Sequence, residues 1–143
     1  MVYIDDVIVF SKTEEEHVEA LEEVMSLLVS KGLTIRLKKC QFFKEEVQFL
    51  GHVLDGKGIR PQQAKVDAIQ KVRVPSTRTH VRSFLGMVAY YRKFIKNFAS
   101  IAAPLHSLTG KNTKFAWTEG CQKSFETLKK KLMEAPILAH PNF

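Results

Sequence analysis

The chain has 143 residues, of which 45% are hydrophobic and 10% aromatic, enough to bury a core in one domain or two small ones. No apolar run approaches the length of a membrane span and the first residues lack the order of a signal peptide, so an intracellular protein with no membrane partner is expected. The cysteines, Cys40 and Cys121, have no CxxC or Cys/His spacing near them, which favours reduced residues that pack as small hydrophobes over zinc ligands.

The formal net charge of +7 hides an asymmetry along the chain. Residues 1–30 contain eight acidic side chains and a single basic one, Lys12, for a net charge of −7. Residues 31–143 contain 21 Lys and Arg against seven Asp and Glu, for a net charge of +14. An acidic front end and a basic body suit a protein that binds a phosphate backbone and carries metal-binding carboxylates, although other basic proteins share this balance.

Two adjacent carboxylates, Asp5 and Asp6, lie between a short apolar start and the β-branched run 7–10. Asp is disfavoured inside strands and favoured in tight turns, so a β-hairpin with both aspartates at its tip is predicted. Hard cations such as Mg²⁺ take oxygen ligands and can be held by one or two carboxylates together with substrate phosphates. On its own, such a pair is more often ordinary turn chemistry than a cation site.

A capping box formed by Thr13 and Glu16 predicts a helix that runs to about Lys31 and stops at Gly32. Its apolar stripe is Val18, Leu21, Met25 and Leu28, and most of its glutamates form a solvated face. Short strands are predicted at 33–36, at 47–54 and at 59–60, with a turn at 55–58 that makes a second hairpin. Residues 38–44 fit neither period and are predicted as a turn of helix.

Three helices are predicted between residues 62 and 109. The first stops before Pro75, the second follows the Ser76-Thr77 cap and runs to about Ile95, and the third spans about 98–108 with Pro104 inside it. If the second helix is continuous, four basic residues form an arc beside its apolar face: Arg78, Arg82, Lys93 and Lys96.

The last part of the chain is predicted as a linker around Asn112 followed by one more helix. Thr118 is its cap, and Pro136 ends it. Its apolar stripe consists of Cys121, Phe125, Leu128 and Leu132. Residues 137–139 then begin a strand.

The order and spacing of several short motifs are specific in combination. The motifs are Tyr3-Ile4-Asp5-Asp6, Phe49-Leu50-Gly51-His52, Gly58-Ile59-Arg60-Pro61, Arg82-Ser83-Phe84-Leu85-Gly86, Tyr90-Tyr91-Arg92-Lys93-Phe94 and Phe115-Ala116-Trp117-Thr118. Together they resemble the reverse transcriptase of gypsy-class LTR retrotransposons, a part of the Pol polyprotein. The resemblance covers essentially the whole chain.

The resemblance implies an α+β fold in three parts. Residues 1–60 are expected to be the C-terminal part of a polymerase palm, with two β-hairpins and a helix. Residues 61–110 are expected to be the three-helix thumb, and residues 111–143 the beginning of an RNase H-like α/β connection. The implied partners are an RNA/DNA primer-template, deoxynucleoside triphosphates, and the missing fingers, upstream palm and RNase H portions of the polyprotein.

The same resemblance implies an RNA-directed DNA polymerase, that is, a nucleotidyltransferase that uses two Mg²⁺ ions. Asp5 is expected to help hold both ions and Asp6 to support the same site, where the ions lower the pKa of the primer 3′-hydroxyl and stabilise charge on the phosphates. Tyr3 is expected near the primer-template backbone or the incoming nucleotide. The palm strand that carries a third metal-binding Asp is missing, so polymerisation by this chain alone is not expected. The alternative is a non-catalytic, basic remnant that binds nucleic acid.

The hairpin Phe49-Leu50-Gly51-His52 resembles the primer grip, where a glycine lets two backbones approach closely. An apolar hairpin with a tolerated glycine remains a fair reading of Phe49 and Leu50. His52 has no Cys, His or Glu partner at ligand spacing and is expected to be a partly exposed strand residue near the primer.

The second helix carries two further candidate features. A packed pair explains Tyr90-Tyr91 better than base stacking. Arg78, Arg82, Lys93 and Lys96 are the candidates for contact with the nucleic-acid backbone, with a solvated basic face as the alternative for any one of them.

Overall fold

The computed structural model of the protein describes residues 1–110 and 114–139. Small antiparallel sheets and helices alternate along the chain, which confirms the α+β class. The chain divides into two compact units, residues 1–43 and residues 44–143. Within the described residues, every helix is too short or too polar to cross a membrane. The predicted linker at Asn112 lies outside the described residues.

The first unit contains a hairpin, a long helix and one helical turn. The hairpin consists of β1 (Val2–Tyr3) and β2 (Asp6–Val7), and α1 spans Glu14–Ser30. The hydroxyl of Thr13 accepts a hydrogen bond from the Glu16 amide at 3.2 Å, and the Glu16 carboxylate accepts one from the Lys12 amide at 3.2 Å. Gly32 has a φ of 74°, the left-handed conformation that ends helices. Both predicted ends of this helix are confirmed.

The strand predicted at residues 33–36 is absent from the structure, and a 3₁₀ turn at Leu37–Lys39 follows instead. The apolar alternation of Leu33 and Ile35 favours a strand locally. A strand also needs a neighbour to accept its backbone hydrogen bonds. Among the described residues, both sheets are made by other segments, so this stretch has no ladder to join.

The second unit begins with a three-stranded antiparallel meander. Its strands are β3 (Glu46–Phe49), β4 (His52–Asp55) and β5 (Gly58–Pro61). The single strand predicted at 47–54 is therefore wrong, because the chain reverses at Leu50 and Gly51, between the paired residues Phe49 and His52. The φ angles of Leu50 and Gly51 are 48° and 69°, so both residues are left-handed, as tight hairpins of the primed type require. Strand patterns alone miss this turn because leucine occupies its first position, whereas the hairpin at Phe49-Leu50-Gly51-His52 that the resemblance implies is confirmed.

The turn between β4 and β5 was predicted and is confirmed. One carboxylate oxygen of Asp55 accepts hydrogen bonds from the amides of Lys57 at 2.8 Å and Gly58 at 3.1 Å. The Arg60 guanidinium bridges the carboxylates of Asp55 and Glu46. The Lys57 amide and, after it, Arg60 lower the pKa of Asp55. These interactions link the three strands at one end of the sheet.

In the described part of the chain after the sheet there are four α-helices. They are α2 (Gln63–Gln70), α3 (Arg78–Tyr90), α4 (Phe98–Ser107) and α5 (Glu119–Met133), with a 3₁₀ turn at Arg92–Phe94 between α3 and α4. The predicted caps are confirmed, since the hydroxyls of Thr77 and Thr118 accept from the amides of His80 and Cys121. Where a strand was predicted at 137–139, the structure has a single antiparallel bridge between Leu138 and Ile59.

The second predicted helix ends at Tyr90 rather than near Ile95. On an unbroken helix, with about 100° between successive residues, Phe94 would point about 120° away from the buried Val88. The break at Tyr91 allows Phe94 to be buried as well, with 4% of its surface exposed. Burial of Phe94 in the core is therefore favoured over continuation of the helix beyond Tyr90. The basic arc that depended on a continuous helix does not form.

One hydrophobic core serves all four helices of the second unit. It contains every member of the predicted stripe of α5, namely Cys121, Phe125, Leu128 and Leu132. From α3 it contains Val81, Phe84, Leu85 and Val88, and Ile95 joins it from beyond the end of that helix. At its edge, Lys129 donates to the carbonyl of Gln70 at 2.8 Å and so binds the C-terminal end of α2. The last helix thus packs on the helices before it, and the division at residues 60 and 110 remains a prediction.

Hydrogen exchange should be slowest in α3 and α5 and fastest in the β1–β2 hairpin. No residue of the first unit is buried, whereas Val81, Phe84 and Leu128 are completely buried in the second. Amides in a cooperative core exchange only on global opening, while a two-stranded hairpin is marginal in water. Exchange measured by mass spectrometry or NMR checks this order. A hairpin that exchanged as slowly as α3 would contradict it.

Candidate active site and nucleic-acid interface

The aspartate pair lies in a very short hairpin. Val2 pairs with Val7 and Tyr3 with Asp6, so the turn consists of Ile4 and Asp5 alone. Asp5 is at the tip, as predicted, but Asp6 is the first residue of β2. The prediction that both aspartates form the tip is wrong for Asp6, because a turn of two residues leaves room for only one of them. Asp6 and Tyr3 form a cross-strand pair, and such pairs present their side chains to one face.

Both aspartates are exposed. Among the residues that the structure describes, the recorded ion pairs involve other acids, and no three His, Cys, Asp or Glu side chains come together to hold a metal ion. Carboxylate oxygens are the ligands that Mg²⁺ takes in proteins, so the chemistry of Asp5 and Asp6 fits this ion. Their number does not complete its coordination. Other ligands would have to come from water, from substrate phosphates or from a further carboxylate.

The second candidate element is the turn between β3 and β4. The Leu50 carbonyl accepts a hydrogen bond from the Tyr90 hydroxyl at 2.5 Å, and the Gly51 carbonyl accepts one from the Tyr91 hydroxyl at 2.9 Å. The amide of Gln62 also donates to the Gly51 carbonyl, at 3.1 Å. A Cβ atom on Gly51 would lie 3.1 Å from the Tyr91 hydroxyl, in addition to the strain of its positive φ. Both the close contact and the positive φ therefore favour glycine at this position.

His52 follows this turn and lies among aromatic rings. Its ring centroid is 5.4 Å from that of Tyr90, 5.5 Å from Tyr91 and 5.7 Å from Phe94. Its Nδ1 lies 2.7 Å from the Leu50 carbonyl, and because a carbonyl only accepts, Nδ1 carries the proton. Nε2 is buried and has no hydrogen-bond partner among the described residues. His52 is half-buried, which accords with a strand residue rather than a metal ligand.

Burial lowers the pKa of His52, the hydrogen bond to Leu50 opposes this shift, and the positive charge of Lys93 adds to it. A proton on the buried Nε2 would create a donor without an acceptor, which is the physical cost behind the burial effect. The neutral imidazole is therefore the form that suits the folded protein near neutral pH.

The tyrosine pair is packed, as predicted, with ring centroids 5.0 Å apart and an interplanar angle of 86°. The two residues differ in exposure. Only 4% of the surface of Tyr91 is accessible to solvent, compared with 54% for Tyr90. Sequence reasoning missed that both hydroxyls hold the turn at residues 50–51. The one signal available was that a buried tyrosine needs a partner for its hydroxyl. Which partner it finds depends on the tertiary fold.

The four basic candidates fall into two groups. Arg78 and Arg82 lie one turn apart near the start of α3, and Arg82 donates to the Thr109 carbonyl at 2.6 Å. Lys93 and Lys96 lie beyond the end of α3, and the Lys93 ammonium is 5.2 Å from the centroid of the Phe94 ring. About 16 Å of helix rise separates Arg78 from the last turn of α3. Of the four, Lys93 is close enough to His52 for its charge to lower the pKa of that imidazole.

Acid should destabilise the protein through His52. The pKa of the folded state is below the ordinary 6.5, so the unfolded chain binds the proton first. The stabilisation by neutral His52 is complete above pH 6.5 and is lost as the pH falls from there through the folded-state pKa. Urea unfolding between pH 7.5 and 5 should show a steeper loss of stability in the wild type than in His52→Gln. If wild type and His52→Gln lost the same stability per pH unit, this account would be contradicted.

Comparison with known proteins shows which family the chain resembles. Residues 1–54 match the family described as reverse transcriptase (RNA-dependent DNA polymerase). The chain is 41% identical over 145 aligned residues to the retrovirus-related Pol polyprotein from transposon 297 of Drosophila melanogaster. That alignment covers 100% of this chain and 14% of the polyprotein, so the chain spans about one seventh of this relative.

Two solved structures resemble the chain over nearly its whole length. The foamy viral protease-reverse transcriptase dRH in complex with double-stranded DNA has a TM-score of 0.88 and 31% identity, covering 99% of this chain and 25% of that one. The foamy viral protease-reverse transcriptase in complex with RNA/DNA hybrid has a TM-score of 0.83 and 32% identity, covering 97% and 19%. By sequence and by fold, the chain is a reverse transcriptase segment of the kind found in transposon Pol polyproteins.

Proposed function

We propose that the chain supplies part of the active site and part of the primer-template surface of an RNA-directed DNA polymerase of a gypsy-class LTR retrotransposon. The observation that carries the proposal is the match of residues 1–54 to the reverse transcriptase family, since that stretch holds the Asp5-Asp6 hairpin and the turn at residues 50–51. The complete enzyme is a nucleotidyltransferase: the primer 3′-hydroxyl attacks the α-phosphate of a deoxynucleoside triphosphate, so that the nucleotidyl group joins the primer and pyrophosphate is released.

Asp5 and Asp6 are the proposed ligands of Mg²⁺. Two bound ions would supply Lewis-acid chemistry, which favours ionisation of the attacking hydroxyl and stabilises charge on the phosphates. The role of the chain is to present one carboxylate at the hairpin tip and the next on β2, both accessible to solvent. Tyr3, paired with Asp6, is proposed to lie beside the primer backbone or the incoming nucleotide. No third carboxylate joins this pair among the described residues, so the upstream palm is proposed to provide it.

The primer-template is proposed to bind along two further elements. The turn at residues 50–51, flanked by Phe49 and His52, is the proposed primer grip. Arg78, Arg82, Lys93 and Lys96 are proposed to contact the nucleic-acid backbone. Solved relatives are in complex with double-stranded DNA and with RNA/DNA hybrid, which supports a duplex ligand. Arg60 is a poorer candidate, because its guanidinium is already paired with two carboxylates.

The proposed division follows from the same assignment. Residues 1–60 are the end of the palm, 61–110 the thumb, and 111–143 the start of an RNase H-like connection, and the fingers, upstream palm and RNase H portions are the partners that complete the enzyme. A second candidate is a basic nucleic-acid-binding remnant without chemistry. The observation in its favour is the lack of a three-acid cluster within the described residues, together with the net charge of +14 after residue 30.

Binding to duplexes should weaken steeply with salt. Each phosphate contact on duplex DNA contributes about 0.9 log unit of affinity per log unit of salt. Replacing Arg78, Arg82, Lys93 and Lys96 by Gln should therefore flatten the slope, by about 0.9 for each residue that contacts a phosphate. Fluorescence anisotropy at several salt concentrations, with an RNA/DNA hybrid and a DNA duplex of equal length, measures the slope. Asp5→Asn should leave it unchanged.

A matched control removes the same charge elsewhere. Lys114, Lys123, Lys130 and Lys131 are exposed residues in or near α5, and their joint replacement by Gln lowers the net charge by the same amount. We expect this variant to keep most of the wild-type slope. Equal flattening in both variants would show that net charge, and not the proposed surface, governs binding.

Primer extension should require the upstream portion of the enzyme. With Mg²⁺ and deoxynucleotides, the chain alone should not extend a primer, because two carboxylates leave the ions under-coordinated. Fusion to the upstream palm and fingers should restore extension, and Asp5→Asn in the fusion should abolish it, as gel analysis of labelled primers would show. Extension by the chain alone that Asp5→Asn removed would refute the need for the upstream portion.

A further inference from the structure

The exposed Tyr90 makes a contact that core packing does not explain. More than half of its side chain is accessible, yet its hydroxyl donates to the Leu50 carbonyl at 2.5 Å, across 40 residues of sequence. The next residue, Tyr91, donates to the next carbonyl, that of Gly51, at 2.9 Å. Two consecutive hydroxyls at the end of α3 thus hold two consecutive carbonyls of one turn.

The turn that they hold is one that the chain does not adopt readily. Leu50 has a φ of 48°, and non-glycine residues are strained in the left-handed region. Strained backbone persists only where its surroundings determine it. Here the surroundings are the two tyrosine hydroxyls, the Gln62 amide on the Gly51 carbonyl, and the His52 ring, whose Nδ1 donates to the Leu50 carbonyl.

The same contacts join the turn to a basic element. Tyr91 begins the break after α3, and Lys93 lies in the 3₁₀ turn that follows. Lys93 is close enough to lower the pKa of His52, so its charge and the turn at residues 50–51 belong to one local structure. The His52 ring contacts those of Tyr90, Tyr91 and Phe94 in tilted and edge-on pairs. Movement of the turn relative to the end of α3 would break these contacts.

We propose that Tyr90 and Tyr91 are positioning residues, which hold the turn at residues 50–51 in the conformation that receives the primer end. This inference rests on the proposed function, because it assumes that the turn is the primer grip. The tyrosines act through the turn and are not assigned a contact with the nucleotide or with the ions. Their hydroxyls are the groups that matter, while their rings provide packing that phenylalanine would keep.

The test compares the full chain with Tyr90→Phe, Tyr91→Phe and the double variant. Amide hydrogen exchange at Gly51, His52 and Gln62 reports on the turn without any nucleic acid. Anisotropy titrations then compare a duplex that has a recessed primer end with a blunt duplex of the same number of phosphates. We expect faster exchange at the turn in the double variant and about a tenfold loss of affinity for the recessed end, the size of one or two neutral hydrogen bonds. Affinity for the blunt duplex should stay the same.

Ser124→Ala is the matched control, since the Ser124 hydroxyl is another buried donor, to the carbonyl of Ile101, far in sequence from the turn. It should lower stability without changing the ratio of the two affinities. Because Tyr90 is exposed, Tyr90→Phe alone keeps the test decisive if the Tyr91 variants fail to fold.

Three results would overturn the inference, and they can be told apart. Unchanged exchange in the variants would show that the hydroxyls do not hold the turn. Faster exchange with equal losses for both duplexes would show a structural role only. A wild-type chain that bound both duplexes equally would reject the primer grip itself, and the positioning role with it, before any substitution was made.

Discussion

The rings of Phe84 in α3 and Phe125 in α5 lie with centroids 4.6 Å apart, and 0% and 3% of their surfaces are exposed. Burial of one such side chain stabilises a fold by about 1.5–3 kcal/mol, and the residues around this pair form one continuous core. The helices α2 and α4 pack against the same core. The three-stranded sheet is joined to it through Ile59 and Leu138 and through the tyrosine contacts to the turn. The placement of the turn therefore depends on helices that follow it in the chain.

The first unit is stabilised differently. Its hairpin is determined by backbone pairing and its helix by local caps, and none of its residues is buried. Large apolar side chains remain exposed, with 79% of Ile4, 71% of Phe10 and 67% of Leu37 accessible. Such exposure accords with the proposal that the fingers and upstream palm complete this part of the enzyme. Backbone pairing places Asp5 in the turn and Asp6 on β2, but it cannot supply further ligands for a metal ion.

The positive charge of the second unit is not uniformly available for binding. Arg60 is paired within the sheet, and Lys129 caps α2 by donating to backbone carbonyls. Lys93 lies against an aromatic ring, where burial lowers its pKa. A count of basic residues in the sequence therefore overstates the number of groups that can meet a phosphate. The end of α3 at Tyr90 also divides the four proposed contacts into one group at each end of that helix.

Capping residues, apolar periodicity and the resemblance carried by short motifs determined most of the helices, the α+β class and the reverse transcriptase assignment. These signals are local, so Thr13, Thr77 and Thr118 begin helices wherever those helices pack. Three features required the tertiary structure: the unpaired stretch at 33–36, the strained conformation of the turn at Leu50-Gly51 and the end of α3 at Tyr90. In each case a distant partner decided the outcome. A strand needs a neighbouring strand, a strained turn needs groups that hold it, and Phe94 reached the core only by ending its helix. The tyrosine hydroxyls on the turn belong to the same class, because 40 residues separate donor from acceptor and only folding brings them together.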